Sequence, residues 1–454
     1  MQNLTMNRFK SVLSVWIGAF VLCSPAFLNN FPFLYPDTGT YLVCAFNNEV
    51  SEMRPLTYGL FMRHASLMES LWLVIILQAL IVSWVIHQFI ANFFKSLHPF
   101  VTLAIITLLT LATGIGEVTG MLMPDFSSPV MILCLCILLF GEAKFSWRVV
   151  LISGLLIFSI ACHHSNVYTA LAIALFFVIL KLLSKREDRN GRQILQRVAL
   201  PVVLIIAGYF TIPLLHQARS GDFYWSKAKS VFITNRINQM GLLKPFLQNH
   251  CAEGNYKLCP YTNEIPFDFL WDSNSPLNKT GGWSANNEEY GIMLKDFFSK
   301  PYYVKKFLVK TIENGIIQFF TIEGKVIFRE GEGAYAYNTM QQVWPDQIGA
   351  LRRAMQFNDT WSSAVTQVLQ RFLVYGSYLF FLFILLYKTT NSIPLVHKYL
   401  IGTILIALVA NAFVCGGISM VDVRFQYRIV WLVPLMALCM LIERYRNRMG
   451  QTIR

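Results

Sequence analysis

The sequence predicts an all-α polytopic membrane protein, with about ten transmembrane helices and a mixed extracytoplasmic insertion over residues 216–367. Three observations predict it. Of 454 residues, 55% are hydrophobic and only 14% charged, where soluble domains carry roughly 25% charged residues. The apolar residues collect in runs near the ~20 residues that cross about 30 Å of hydrocarbon. The net charge of +13 sits in short loops between those runs, which is the positive-inside pattern and not the basic stripe of a nucleic-acid binder.

In chain order the runs fall near residues 11–30, 71–92, 100–122, 126–141, 148–162, 167–183, 198–215, 368–387, 399–416 and 428–443. The first follows Arg8 and Lys10 and ends without a small-residue cleavage site, so it reads as a retained helix and not a removed signal peptide. Lys144 and Arg148 flank one connection, Lys181, Lys185, Arg186, Arg189, Arg192 and Arg197 another, and Arg444, Arg446, Arg448 and Arg454 crowd the C-terminus. All fall on the side of Arg8 and Lys10, so both termini are expected in the cytoplasm of a cell with this chain in its inner (plasma) membrane. Threading then places residues 31–70, 123–126, 163–166, 216–367 and 417–427 outside. Three parts follow: an N-terminal membrane module over 1–215 with about seven helices, the outer segment 216–367, and a C-terminal module over 368–454 with about three. No charge lies near the centre of a run, which argues against an ion-coupled transporter.

The outer segment turns rich in Asn, Gly, Pro, Trp and Tyr. Cys251 and Cys259, in CAEGNYKLC, predict a disulfide in an oxidising compartment; a zinc site lacks partners there, since His250 is the histidine at hand. Cys23, Cys134, Cys136, Cys162, Cys415 and Cys439 lie in apolar runs and read as packing residues. Residues 302–320 are too charged to span, yet Phe307, Leu308, Ile312, Ile316 and Phe319 recur at helical spacing. That is an amphipathic helix on the membrane or the bundle, or the face of a small soluble domain.

The threading gathers chemistry at the outer ends of the helices. Asp37, in YPDTGTY, follows the first run directly; it is either a helix N-cap or a general base at the lipid boundary. Asp125, in MPDFSSP, repeats that geometry with the same two readings, and Glu117 eight residues earlier reads as a polar contact inside the bundle. His163 and His164, in HHS, are interfacial residues or ligands for phosphate or metal. Arg424 and Arg428, in VDVRFQYR, lie outside against the positive-inside bias; they fit a lipid phosphate, or one pairs with Asp422. Arg54 and Arg63, in RPLTYGLFMR, add the same ambiguity in the first outer loop.

Asp37 just after the first helix, Asp125 in the second outer loop, the Arg54-Pro55-x-x-Tyr58 segment before the second helix, and an arginine-bearing stretch before a last helix with Pro434 resemble the integral-membrane glycosyltransferases of the C-type superfamily. The resemblance covers residues 1–215 and 368–443. It implies transfer of a sugar from a polyprenyl-phosphate carrier to a cell-envelope glycan, lipid or protein acceptor on the outer, periplasmic face. By that likeness Asp37 deprotonates an acceptor hydroxyl, and Asp125 orients the acceptor or binds a divalent cation such as Mg or Mn. Arg424, with Arg428, Arg54 and His163 or His164, holds the carrier phosphate and the charge that grows as the glycosidic bond breaks. Displacement by one base implies inversion at the sugar carbon. HHS departs from the family, where some members carry a Lys. Trp225, Trp271, Trp283 and Trp344 are candidates for stacking on sugar, with packing the simpler role for each.

Two other classes stay open. A lipid-linked saccharide polymerase or flippase also gathers arginines outside, though a flippase needs a charged path through its spans. A non-catalytic assembly protein would bind a partner through the outer segment and use its acids as caps. The discriminating feature is convergence of Asp37, Asp125 and Arg424 on one site. No Gly-rich phosphate loop follows a strand, which argues against a nucleotide-sugar donor.

Overall fold

A computed structural model describes residues 2–47, 49–141, 146–183, 191–267, 269–386 and 393–452. The basic residues Lys144, Lys185, Arg186, Arg189 and Arg454 lie outside them. The chain forms a helical membrane protein. The N-terminal part contains α1 (Gln2–Leu28), α2 (Thr38–Phe46), α3 (Thr57–Ala65), α4 (Leu71–Phe93), α5 (Pro99–Ala112), α6 (Ile115–Thr119), α7 (Ser127–Phe140), α8 (Trp147–Cys162), α9 (His164–Leu183) and α10 (Gly191–Ser220). The outer segment adds α11 (Lys229–Gln239), α12 (Leu243–Gly254), α13 (Pro276–Lys279), α14 (Gly282–Ser299), α15 (Pro301–Phe320), α16 (Tyr335–Val343) and α17 (Ile348–Arg352). The last part holds α18 (Ala364–Leu386), α19 (Leu395–Ala412) with a π-helical extension to Ser419, α20 (Val423–Tyr427) and α21 (Leu432–Thr452).

Among the described residues, seven helices are long and apolar enough to cross a membrane, and α5, α8 and the Pro124–Phe140 stretch are shorter apolar helices. These elements occupy the runs read from the sequence. Phe9, Trp16 and Phe20 of α1, Leu175 and Leu182 of α9, Val203 and Phe210 of α10 and Phe372 and Leu379 of α18 are exposed. Outward apolar faces this extensive are what lipid covers. The middle of the bundle is α7, buried from Ser127 to Leu139.

The run at 100–122 is not one helix. It breaks after α5, where Thr113 turns extended and Gly114 donates its N–H to Gln370 Oε1 at 2.9 Å. A Cβ on Gly114 would lie 2.0 Å from the Tyr427 ring, so only glycine lets that ring approach. The break frees α6 to carry Glu117 away from the α5 axis, and Glu117 therefore does not sit two turns below Asp125 on a shared helix.

The outer insertion is helical and not mixed: among the described residues the one β-type pairing is an isolated bridge between Phe33 and Met121, in the loops outside α1 and α6. The insertion also divides. Val231, Phe246, Leu247, Tyr290, Phe297 and Tyr303 form a small core of their own, strapped by the expected Cys251–Cys259 disulfide with Cα atoms 5.7 Å apart. Ile322, Val326, Tyr337, Met340 and Leu351 instead join the core of the bundle. Gln356 clamps this second part to the first outer loop: its side chain accepts from Leu34 N at 2.9 Å and donates to Leu34 O at 2.6 Å and Phe328 O at 2.8 Å. The remaining cysteines, including Cys44, are free and buried, as expected of packing residues.

Candidate functional site

Asp37 begins α2 but does not cap it; its side chain makes no cap hydrogen bond. The turn is fixed instead by Thr38, whose Oγ1 accepts from Tyr35 N at 2.9 Å and donates to Leu122 O at 3.1 Å. This leaves the Asp37 carboxylate free to face two arginines. Arg54 Nη2 lies 2.5 Å from Oδ1 and Arg424 Nη1 donates to Oδ2 at 2.9 Å. The Arg424 guanidinium rests on the Tyr35 ring, 4.3 Å from its centroid, a cation–π seat that fixes its plane.

Asp125 sits in the turn before α7 and makes no cap bond either. Its Oδ1 accepts from Arg428 Nη1 at 3.3 Å and lies 3.8 Å from Arg424 Nε. Arg428 Nη2 donates further to Ser165 Oγ at 3.1 Å, Asn411 Oδ1 at 2.9 Å and Cys415 Sγ at 3.5 Å. Asp422 does not pair with an arginine side chain; it caps α20 by accepting from Arg424 N at 2.8 Å, which aims Arg424 at Asp37.

The structure therefore brings Asp37, Asp125, Arg54, Arg424 and Arg428 into one cluster. Exposure grades through it: the side chains of Arg54 and Asp37 are 17% and 14% accessible, that of Arg424 9%, those of Asp125 and Arg428 2% and 0%. Asp37, Arg54 and Arg424 form the mouth; Asp125 and Arg428 form a floor that positions Arg424. Three guanidinium groups face the Asp37 and Asp125 carboxylates, and the Asp422 carboxylate adds a third negative charge near Arg424. Arg54 Nε, Arg424 Nε and Arg428 Nε are buried without hydrogen-bond partners, as is Asp125 Oδ2. Buried donors of this kind ask for an anion or water.

Burial by itself raises the Asp37 pKa, but the charges of Arg54 and Arg424 outweigh it and hold the carboxyl below the usual carboxylate range. Sequence reasoning missed Glu330. It is 2% exposed, one carboxyl oxygen has no partner, and burial followed by the Asp37 charge pushes its pKa up to about 7. Phe328, two residues before it, packs on Tyr35 at 6.0 Å, which brings this stretch of the outer segment beside Asp37. Within Arg329-Glu330-Gly331-Glu332 nothing marks one acid as buried.

His163 Nδ1 engages Ser165 Oγ at 2.7 Å and reaches Arg428 only through that hydroxyl. His164 Nε2 is buried without a partner. Among the described residues no hydrogen bond or ion pair joins either imidazole to Asp37 or Asp125, and no group of three His, Cys, Asp or Glu side chains could hold a metal ion. The two acids face guanidinium groups, an arrangement that suits an anion and not a divalent cation. Glu117 is the bundle contact expected of it, accepting from Tyr427 OH at 2.7 Å and from Trp361 Nε1 at 3.1 Å. Arg63 donates to Ala45 O at 2.8 Å, away from the cluster.

Beside the mouth, Thr40, Glu49, Glu52, Met53, Trp283 and Tyr335 line a cleft of about 180 Å³. Of the tryptophans singled out in the sequence, Trp283 reaches this cleft. Trp225 stacks on Tyr209 and donates to its carbonyl at 3.1 Å, and Trp344 packs on Phe46. Trp271 is exposed and lies 5.4 Å from Trp283.

No family model, no curated protein and no solved structure matches this chain.

Proposed function

We propose that the protein is a membrane glycosyltransferase that takes a sugar from a polyprenyl-phosphate carrier and transfers it to a hydroxyl acceptor on the outer face. The observation that carries this reading is the arginine mouth. Arg54 and Arg424 point guanidinium groups at one carboxylate and keep buried, unpartnered N–H groups that suit a phosphate. The apolar helices support a multi-pass membrane location. The finer topology is part of the proposal: about ten spans, both termini cytoplasmic, in the inner membrane.

The chemistry follows from competition. An arriving phosphate draws Arg54 and Arg424 from Asp37, and the released carboxylate recovers its basicity. The acceptor oxygen attacks the anomeric carbon as its proton passes to Asp37. The bond between that carbon and the phosphate oxygen breaks, and the electron pair leaves on the polyprenyl phosphate, stabilised by both arginines. One displacement inverts the sugar. The cleft with Trp283 and Tyr335 supports a saccharide acceptor, since aromatic faces stack on sugar rings.

The test is transfer of labelled sugar from polyprenyl-phosphate donors by the purified protein in nanodiscs, wild type beside Asp37→Asn and Arg424→Ala. Transfer by the wild type, lost in both folded variants, supports the reading. If wild type is inert on every donor, a non-catalytic assembly role takes the place of this reading; if Asp37→Asn transfers sugar as fast as an active wild type, the base assignment falls.

A further inference from the structure

Helix α15 joins two different environments along its length. Its first turns belong to the outer segment: Tyr303 packs on Phe246 at 5.3 Å and on Phe297 at 5.1 Å, and Phe307 meets Phe298 at 5.2 Å. Its later turns belong to the membrane bundle. A Cβ on Gly315 would touch the Phe413 ring at 2.9 Å, and one on Gly416 would touch Gln318 Cβ at 2.2 Å. Phe413 and Gly416 both lie within the candidate span Leu395–Ser419. Phe319 stacks on Tyr378 of α18 at 6.1 Å. The pair formed by Arg371 Nε and Glu323 Oε2, at 2.7 Å, marks the polar end of α18. Tyr378 follows Arg371 by seven residues, about 10 Å further along the helix axis.

The opposite face of these turns is largely exposed. Leu308, Ile312, Ile316 and Phe320 repeat at four-residue spacing and are 54%, 52%, 50% and 58% exposed, so they share one stripe. Lys306, Lys310 and Glu313 flank that stripe, where long side chains can lift their charges to water while their stems stay apolar. Exposed apolar stripes of this kind are rare on soluble surfaces, and Phe372 and Leu379 of α18 are exposed as well.

We propose that the later half of α15 is sunk in the outer leaflet, with its Ile312, Ile316 and Phe320 face against lipid acyl chains. The occupant is bilayer lipid because the residues α15 packs on are themselves within candidate spans. The placement has a consequence for the arginine mouth, and it does not depend on the chemistry proposed above. Gln318, on the protein side of the same turns, donates to Asp422 O at 2.8 Å and accepts from Asp422 N at 2.8 Å. Asp422 caps the helix that carries Arg424, so the helix resting in lipid also sets the position of the site.

The test is spin labelling of the full chain in nanodiscs at Ile312→Cys and Ile316→Cys, with Phe267→Cys as the aqueous reference. The seven free cysteines are all buried, and Phe267 is 73% exposed. Collision with oxygen, which partitions into lipid, is compared with collision with a water-soluble nickel chelate. An oxygen-to-nickel ratio several-fold above that at Phe267→Cys, at both positions, is the expected result. A ratio equal to the reference puts the stripe in water and overturns the proposal. Low collision with both reagents means protein covers the stripe, as a second copy of the chain would, and overturns it equally.

Discussion

Replacing Asp125 by alanine removes the one acid that Arg428 meets. Arg428 is fully buried, and its other partners, Ser165, Asn411 and Cys415, are neutral. Stranding a buried charge in this way costs about 3–5 kcal/mol; the surviving hydrogen bonds at 2.9 and 3.1 Å place the expected loss for Asp125→Ala near the lower end, about 3 kcal/mol. Arg428→Met keeps most of the side-chain volume and removes the charge. The double variant should therefore be no less stable than Asp125→Ala alone, so the coupling in a double-mutant cycle is at least the cost of Arg428→Met by itself, on the order of 2 kcal/mol for a change that leaves buried Asp125 without Arg428. Unfolding in mixed micelles, followed by tryptophan fluorescence, measures all four corners. Additive losses, or an Asp125→Ala loss under about 0.5 kcal/mol, would refute the reasoning, because the pair would then be solvated or uncoupled.

Glu330 gives a pH signature. Its folded pKa of about 7 exceeds its ordinary 4.5, so the folded chain holds a proton that the unfolded chain has released between these values. Stability should fall as pH rises through that window, by on the order of 3 kcal/mol at most, and be flat above it; Glu330→Gln should abolish this dependence in pH-resolved unfolding. Tyr427→Phe leaves buried Glu117 with Trp361 as its remaining donor and should cost about 1–3 kcal/mol in the same assay. Gly416→Ala puts a methyl group against Gln318, an overpacking loss of about 1–3 kcal/mol in the same unfolding assay. Paired Cys251→Ser and Cys259→Ser changes open a loop of separation 8, with an expected cost of about 2–3 kcal/mol confined to the outer segment and read by local proteolysis.

Hydrocarbon thickness fixes how long an apolar run must be, so the helices of the bundle were legible from composition and spacing alone. Alternation of the runs also put Asp37, Asp125, Arg54, Arg424 and Arg428 at the same ends of their helices, and the structure brings these five together. The cysteine pair was legible from its spacing and side.

Tertiary contacts decided what local pattern could not. Pro-Asp at a helix start reads equally as a cap or as a base, and only packing against Arg54 and Arg424 shows that Asp37 caps nothing. The apolar run through residues 100–122 hides its break, because the cause is the Tyr427 ring, which comes from the far end of the chain. HHS looked like a ligand pair and became a support for Arg428, since Ser165 and not an imidazole reaches the guanidinium. Glu330 in a charged, Gly-rich run carries no sign of burial. Sequence by itself determined which segments are long and apolar enough to cross a membrane, because transfer from water to hydrocarbon depends on local composition. The tertiary structure alone decided which charges meet, because pairing depends on distances between residues as remote in sequence as Asp37 and Arg424.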